Sequence, residues 1–395
     1  MRCTNLTITG CLALLLPLIG CGKIPTWGEL TGQQAPPAPA LPAQPLPQLA
    51  PSTATATPVP VSPDEVIARF QSLRPLEITD LALQQLTALS QGADRITEIN
   101  ADGSPVTKNG LNQLERLTGL RQLRLNATQM DDEACQKIAT LSSLELLTLA
   151  DTAITDVGVA ALSGLSNLKH LELTRCRLSE NAFQAIGQLP ALKTIHIDAT
   201  NLNDRSLAMV CNARTLTSLI LSRNSITDYG LAALAKLEPL EYLEIGSTSI
   251  TGEGLVKVMK GGGLKNLRYL GVYGCPLNER GAKAISTMKG LEELNIGEVP
   301  LMNDIGLDNL IKGMKQLQKI NLSKCAGIEG SGLRSLKNSK SMEVVLIDQC
   351  PGVGDPVISI LKTIKGLKRV SLGSTSVSAR ARAELQSALP DLMIN

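Results

Sequence analysis

The sequence predicts an α/β solenoid: a curved stack of short units, with a parallel sheet on its inner face and short helices on its outer face. Three observations carry this. An aliphatic residue recurs at Ile96, Leu120, Leu144, Leu168, Leu192, Leu216, Leu240, Leu267, Leu291, Leu317, Met342 and Leu367, first at intervals of 24 residues and later at 24 to 27. Within each interval a two-residue apolar alternation gives way to a three-residue one. The 395-residue chain is 43% hydrophobic but only 2% aromatic, so its core is filled by Leu, Ile, Val and Ala in thin repeated layers. A net charge of +2, from 38 basic and 36 acidic residues, gives no pull toward nucleic acid.

The chain opens Met1-Arg2 and runs through Leu12, Ala13, Leu14, Leu15 and Leu16 to Gly20-Cys21. This apolar run is short of the roughly 20 residues that span a bilayer and has the form of a secretory signal. Its end, Leu18-Ile19-Gly20-Cys21, resembles the lipobox of bacterial lipoproteins. The resemblance implies cleavage after residue 20 and a lipid on Cys21, and Gly22 at the next position implies the outer membrane. An ordinary signal peptide with a cysteine near its cleavage site is the alternative. Two or three acyl chains make a stable anchor where one is marginal.

Residues 31–63 hold ten prolines, among them Pro36, Pro37, Pro39, Pro42, Pro45 and Pro47. Proline removes backbone donors, and no apolar face repeats here, so residues 21–61 are expected to form an extended spacer with a reach on the order of 100 Å. Residues 62–95 are expected to form an N-terminal cap. Asp64 to Leu73 can make a helix behind Pro63, and Leu76 to Leu89 reads as the second half of a unit without its strand.

Twelve units then fill residues 96–391, and residues 392–395 end the chain. In Leu144-x-x-Leu147-x-Leu149 the fourth and sixth positions share one face of a short strand. Val159, Leu162 and Leu165 make the stripe of a short helix, and Thr155 and Asp156 stand where its free amides need caps. The capping type recurs at Thr107, Asp131, Ser179, Asn203, Thr227 and Thr251. A single unit cannot bury both faces; stacked units share one core, with strands about 4.8 Å apart. The C-terminal cap is thinner, Ala379 to Leu389 followed by Leu392 and Ile394.

Twelve matching registers over about 300 residues resemble the leucine-rich-repeat family. Position 9 of the unit holds Cys176, Cys275, Cys325 and Cys350, and elsewhere Thr128, Thr152, Thr200, Asn224, Thr248 and Thr375. The resemblance implies a buried ladder of side-chain bonds to the turn backbone here, and the cysteines resemble those of the family's cysteine-containing subclass. Small donor side chains suit such a ladder. Cys325 and Cys350 sit on adjacent units and are close enough for a bridge to be weighed, but free thiols are expected. Cys135 and Cys211 fall on the helices as small core residues. No Cys-x-x-Cys occurs and His170 and His196 stand apart, so neither metal nor cofactor is expected.

No catalytic motif is found: no Gly-x-Ser-x-Gly, phosphate loop or His-Glu-x-x-His. The best enzyme case pairs Cys176 with His170 and His196, but the cysteine belongs to the core side and the histidines to the surface. Positions 3 and 5 of each strand face away from the core. Tyr242 and Tyr269 share position 3 on neighbouring units, and Tyr273 is assigned to the same strand as Tyr269, with Gly271 leaving room beside the rings. His170, His196, Glu244 and Glu293 lie on this face too. Tyrosine offers large area with a polar tip; it also fits any exposed sheet. Glu241, Glu244, Glu292, Glu293 and Glu298 surround the rings and basic residues lie toward the ends, a layout suited to a partner with a basic or mixed centre.

The expected protein is thus a monomeric, non-catalytic binding module, lipid-anchored in the cell envelope outside the cytoplasm. It would hold a protein or envelope polymer at Tyr242, Tyr269, Tyr273, His170, His196, Glu244 and Glu293. The alternatives are a structural envelope component acting by self-association and, more distantly, an enzyme using an exposed histidine.

Overall fold

The computed structural model describes residues 62–339 and 341–395. The signal segment, Cys21 and the proline-rich spacer lie outside the described residues.

Thirteen parallel strands form one open sheet in strict chain order. They are β1 (Glu98–Asn100), β2 (Gln122–Arg124), β3 (Leu146–Thr148), β4 (His170–Glu172), β5 (Thr194–His196), β6 (Ser218–Ile220) and β7 (Tyr242–Glu244). The series continues with β8 (Tyr269–Gly271), β9 (Glu293–Asn295), β10 (Lys319–Asn321), β11 (Val344–Leu346), β12 (Arg369–Ser371) and β13 (Met393–Ile394). The middle residue of each of the first twelve is buried, and the residue two places on, Leu125 or Leu149 for example, is fully so. This is the alternation that period two demands. The last strand exceeds the twelve given by the leucine register. Leu392 restarts the pattern, and Met393 pairs with Arg369.

Each strand leads into a turn that the sequence pattern did not reveal. The eighth residue of all twelve units, from Gly103 to Ser374, adopts a left-handed backbone with φ between +51° and +69°. Only two of the twelve are glycine. Each other residue carries roughly 1–2 kcal/mol of strain. The ninth residue secures the turn. Thr152 Oγ1 donates to its own unit's Leu149 carbonyl at 2.6 Å, and Thr200 to Ile197 at 2.8 Å. The cysteines reach one unit back instead: Cys176 Sγ to Leu149 at 3.2 Å, Cys275 to Ile245 at 3.4 Å, Cys325 to Ile296 at 3.2 Å and Cys350 to Leu322 at 3.3 Å. Asn224 does both, donating to Leu221 at 3.0 Å and Ile197 at 2.8 Å while accepting the amides of Thr200 and Leu202. All six cysteines among the described residues are free and buried.

The outer legs carry helices of at most eight residues until the C-terminal Ala379–Ala388. Their starts are stapled between units. Asp132 accepts Thr155 N at 2.8 Å, its hydroxyl at 2.7 Å and Gly158 N at 3.0 Å. Asp228 accepts four donors from Thr251, Gly252 and Gly254. The aspartate after one cap thus serves the cap of the next unit, as well as the field of its own helix. Ahead of the sheet, helix α1 (Pro63–Gln71) opens with a capping box between Ser62 and Glu65 and buries Ile67 and Phe70. Helix α2 (Asp80–Thr87) follows and buries Leu83 and Leu86.

Candidate functional site

Several acids on the inner face are matched with bases on neighbouring units. Glu145 takes Arg121 and Lys169, both at 2.8 Å. Glu292 takes Arg268 at 2.8 Å, Glu293 takes Lys319 at 3.2 Å, and Glu298 takes Lys324 at 2.7 Å. Three of the five acids expected to ring the tyrosines are therefore paired with a base on the adjacent unit. Exposed pairs of this kind contribute little stability.

The stretch from β5 to β8 departs from this pattern. Tyr242 and Tyr269 are register partners. Their rings stack with centroids 3.9 Å apart and planes 5° from parallel. Both are half-buried. The Tyr269 hydroxyl donates to Glu244 Oε2, tying the stack to the floor of the sheet. Glu244 is only 9% exposed. Its other oxygen, Oε1, has no hydrogen-bond partner. Burial raises the Glu244 carboxyl above the ordinary value; the Tyr269 hydroxyl opposes this and Asp198 adds to it. Burial also raises the Tyr269 phenol, with the Glu244 charge reinforcing it. Tyr242 is raised by burial, with the carboxylates of Glu244, Glu293 and Asp198 adding to it.

Gly271 has a different role from the one its position suggested. A Cβ there would come within 2.1–2.3 Å of the Glu244 carboxyl. The missing side chain makes room for Glu244, not for a ligand. Tyr273 also differs from expectation: β8 ends at Gly271, and Tyr273 lies in the following turn. Its ring covers Gly246 of the preceding unit, where a Cβ would meet Cε1 at 2.2 Å. The structure therefore joins Tyr242 to Tyr269 by stacking and Tyr269 to Glu244 by a hydrogen bond, and places Tyr273 over Gly246 in the turn after β8.

The histidines lie farther along the sheet, His170 on β4 and His196 on β5. Loss of water around its ring, with His196 and Lys169 adding their charge, holds His170 below the usual imidazole value. Cys176 is 1% exposed and bonded into the turn ladder, with its thiol raised by burial. It points away from the face that carries both histidines. Among the described residues no cluster of three or more His, Cys, Asp or Glu could hold a metal ion.

Two groups were missed in the sequence because they stand at position 7, just past the strand. Asp198 is half-buried, and burial raises its carboxyl against the pull of the Ser222 backbone amide. Ser222 is 1% exposed, and its hydroxyl makes no hydrogen bond of normal geometry, acting only weakly on Asp198. The lone acidic residue in a polar turn gave no pattern to find; only the stack places it two units from Glu244. Clefts elsewhere have less to offer chemically. One of about 450 Å³ opens between α1 and α2 over Val66, Phe70, Leu73 and Leu89, and another of about 410 Å³ lies by Tyr229 and Lys257 on the outer legs.

Residues 212–235 match the Leucine Rich repeat family model. An internalin from Listeria monocytogenes is similar in structure, with a TM-score of 0.50 at 18% identity, covering 84% of this chain and 93% of that one. A leucine-rich-repeat protein from Leptospira interrogans gives a TM-score of 0.46 at 15% identity, covering 74% and 76%. None of the curated proteins compared with the chain matches it. The repeat match, the internalin likeness and the thirteen-stranded parallel sheet make this a leucine-rich-repeat solenoid.

Proposed function

We propose that this chain is a non-catalytic binding module that holds a protein partner on its strand face, centred on Tyr242 and Tyr269. The stacked pair is the observation that carries the reading. Each ring alone would fit an exposed strand without purpose. Together they form an aromatic platform whose geometry is fixed by the stack and by the Glu244 hydrogen bond. A platform fixed before contact loses little entropy on binding, which is where affinity is gained. His170, His196, Tyr273 and Glu293 would border the contact and set its orientation. An enzyme reading has less support, since the one cysteine near the histidines is enclosed in the core. The fold alone names no partner.

Capture from the cell's own envelope extract tests this. The full chain is expected to retain a specific partner, and the Tyr242→Ala, Tyr269→Ala double variant to lose it at least tenfold, about 1.4 kcal/mol, while melting cooperatively. Equal capture by the double variant refutes the site. The same reading tethers the module outside the cytoplasm through a lipid on Cys21, with residues 22–61 as spacer. Labelling with a radioactive fatty acid should disappear in Cys21→Ala; label persisting in that variant refutes the tether.

A further inference from the structure

Two of the inner-face carboxylates without an ion pair, Asp198 and Glu244, flank a buried hydroxyl beside the tyrosine stack. Among the described residues no ion pair reaches Asp198 or Glu244, whereas Glu145, Glu292 and Glu293 on the same face each take a base from an adjacent unit. Glu244 is nine-tenths buried with Oε1 unpaired, and between the two acids, one unit from each, lies the enclosed hydroxyl of Ser222, which makes no hydrogen bond of normal geometry and acts only weakly on Asp198. Two buried polar atoms without a normal hydrogen bond on adjacent units are uncommon and costly in a native fold. With parallel strands about 4.8 Å apart, Asp198 and Glu244 stand about 10 Å apart along the stack. The faces and edges of the tyrosine pair flank one end of this stretch.

The missing partner must be a donor, because the ionised Glu244 carboxylate can only accept. It must also be positive. Three carboxylates, Glu244, Glu293 and Asp198, act together on Tyr242, so an anion is repelled and a neutral donor leaves the charge uncompensated. A cation gains from both acids and from the aromatic faces. We infer that the stretch from Asp198 through Ser222 to Glu244, beside the tyrosine stack, seats a basic side chain of the protein partner, an arginine guanidinium or a lysine ammonium. This rests on the strand face being the docking surface. The Glu244 carboxyl is enclosed against Gly271 in the free chain, so seating goes with a turn of that side chain toward the incoming donors. Guanidinium suits the site better than ammonium, because its planar fork addresses two acceptors at once and stacks on tyrosine.

The test is calorimetric titration of the full chain with hexa-arginine at physiological salt, with hexa-glutamate as control. Hexa-arginine should bind and hexa-glutamate should not. Glu244→Gln and Asp198→Asn should each weaken hexa-arginine at least tenfold. Glu133→Gln, on the outer legs, should leave it unchanged. Absence of hexa-arginine binding, or equal affinity in the Glu244→Gln and Asp198→Asn variants, overturns the inference, as does equal weakening by Glu133→Gln, which would mean unspecific charge attraction. Extract capture separates this from the broader reading. Loss of capture in the double tyrosine variant with full capture in Glu244→Gln sinks the cation seat and leaves the docking face standing. Full capture in both sinks the docking face.

Discussion

Two columns of polar residues run through the same stack and are treated in opposite ways. At position 9, inside the turn, Thr, Cys and Asn side chains all find a carbonyl, either in their own unit or in the one before. On the strand face from β5 to β8, Ser222 Oγ and Glu244 Oε1 make no hydrogen bond of normal geometry. Both places are dry, and an unpaired polar atom is costly in either. The turn column therefore shows polar burial used for architecture. The face shows polar burial left incomplete, which destabilises the free chain and leaves acceptors for something else.

The largest effect should come from breaking the satisfied column. Asn224→Leu removes the acceptor for Thr200 N and Leu202 N and the donor to Ile197 and Leu221. Leaving those groups buried should destabilise the chain by about 3 kcal/mol or more, read as a fall in the denaturant midpoint. Asn224→Thr, which restores the bond its neighbours use, should lose less than half as much. Equal losses would show that the ladder's stability does not depend on bonding across units.

A smaller effect of opposite sign is expected on the face. Burial raises the Glu244 carboxyl, so the folded chain binds its proton more tightly than the unfolded chain does. Stability attached to this group is then greatest in acid and falls as pH rises through the folded value. The groups facing it are Tyr242 on its own strand, Tyr269 from β8 and Asp198 from the turn after β5; Asp198, also raised by burial, titrates in the same direction. Glu244→Gln keeps an acceptor for Tyr269 and removes the charge. It should stabilise the chain by about 1 kcal/mol at neutral pH, with the gain vanishing as the pH is lowered through the carboxylate range. Thermal melts of both chains across pH would show this. A loss of stability at neutral pH would place Glu244 with the structural column. A gain in stability alongside loss of hexa-arginine binding is the signature of a group kept for function at a cost to the fold.

The fold was legible because the core repeats. Leucine at fixed intervals defines strand, turn and outer leg without any knowledge of contacts, and the alignment of Tyr242 with Tyr269 follows from counting alone. What the sequence concealed lies where geometry depends on the neighbour. Gly271 reads as empty space until Glu244 is seen filling it. Tyr273 reads as strand because it continues an alternation that the left-handed turn interrupts. The staple from Asp132 to Thr155 hides because both residues look like caps for one helix, and the bond joins two. Asp198 and Ser222 carry no periodic signal, since their column holds Asp, Asn, Ala, Thr, Ser, Gly and Tyr by turns.

The tyrosine stack joins two strands separated by a 27-residue unit, where the earlier units have 24, yet Tyr242 still meets Tyr269 in register. The added length is taken up on the outer leg, around Gly261, Gly262 and Gly263, where nothing must align. Insertion and strand register are therefore uncoupled in this molecule. Its strand face behaves as a lattice addressed by row and column, on which one residue can be exchanged, or one unit lengthened behind it, without shifting any other site.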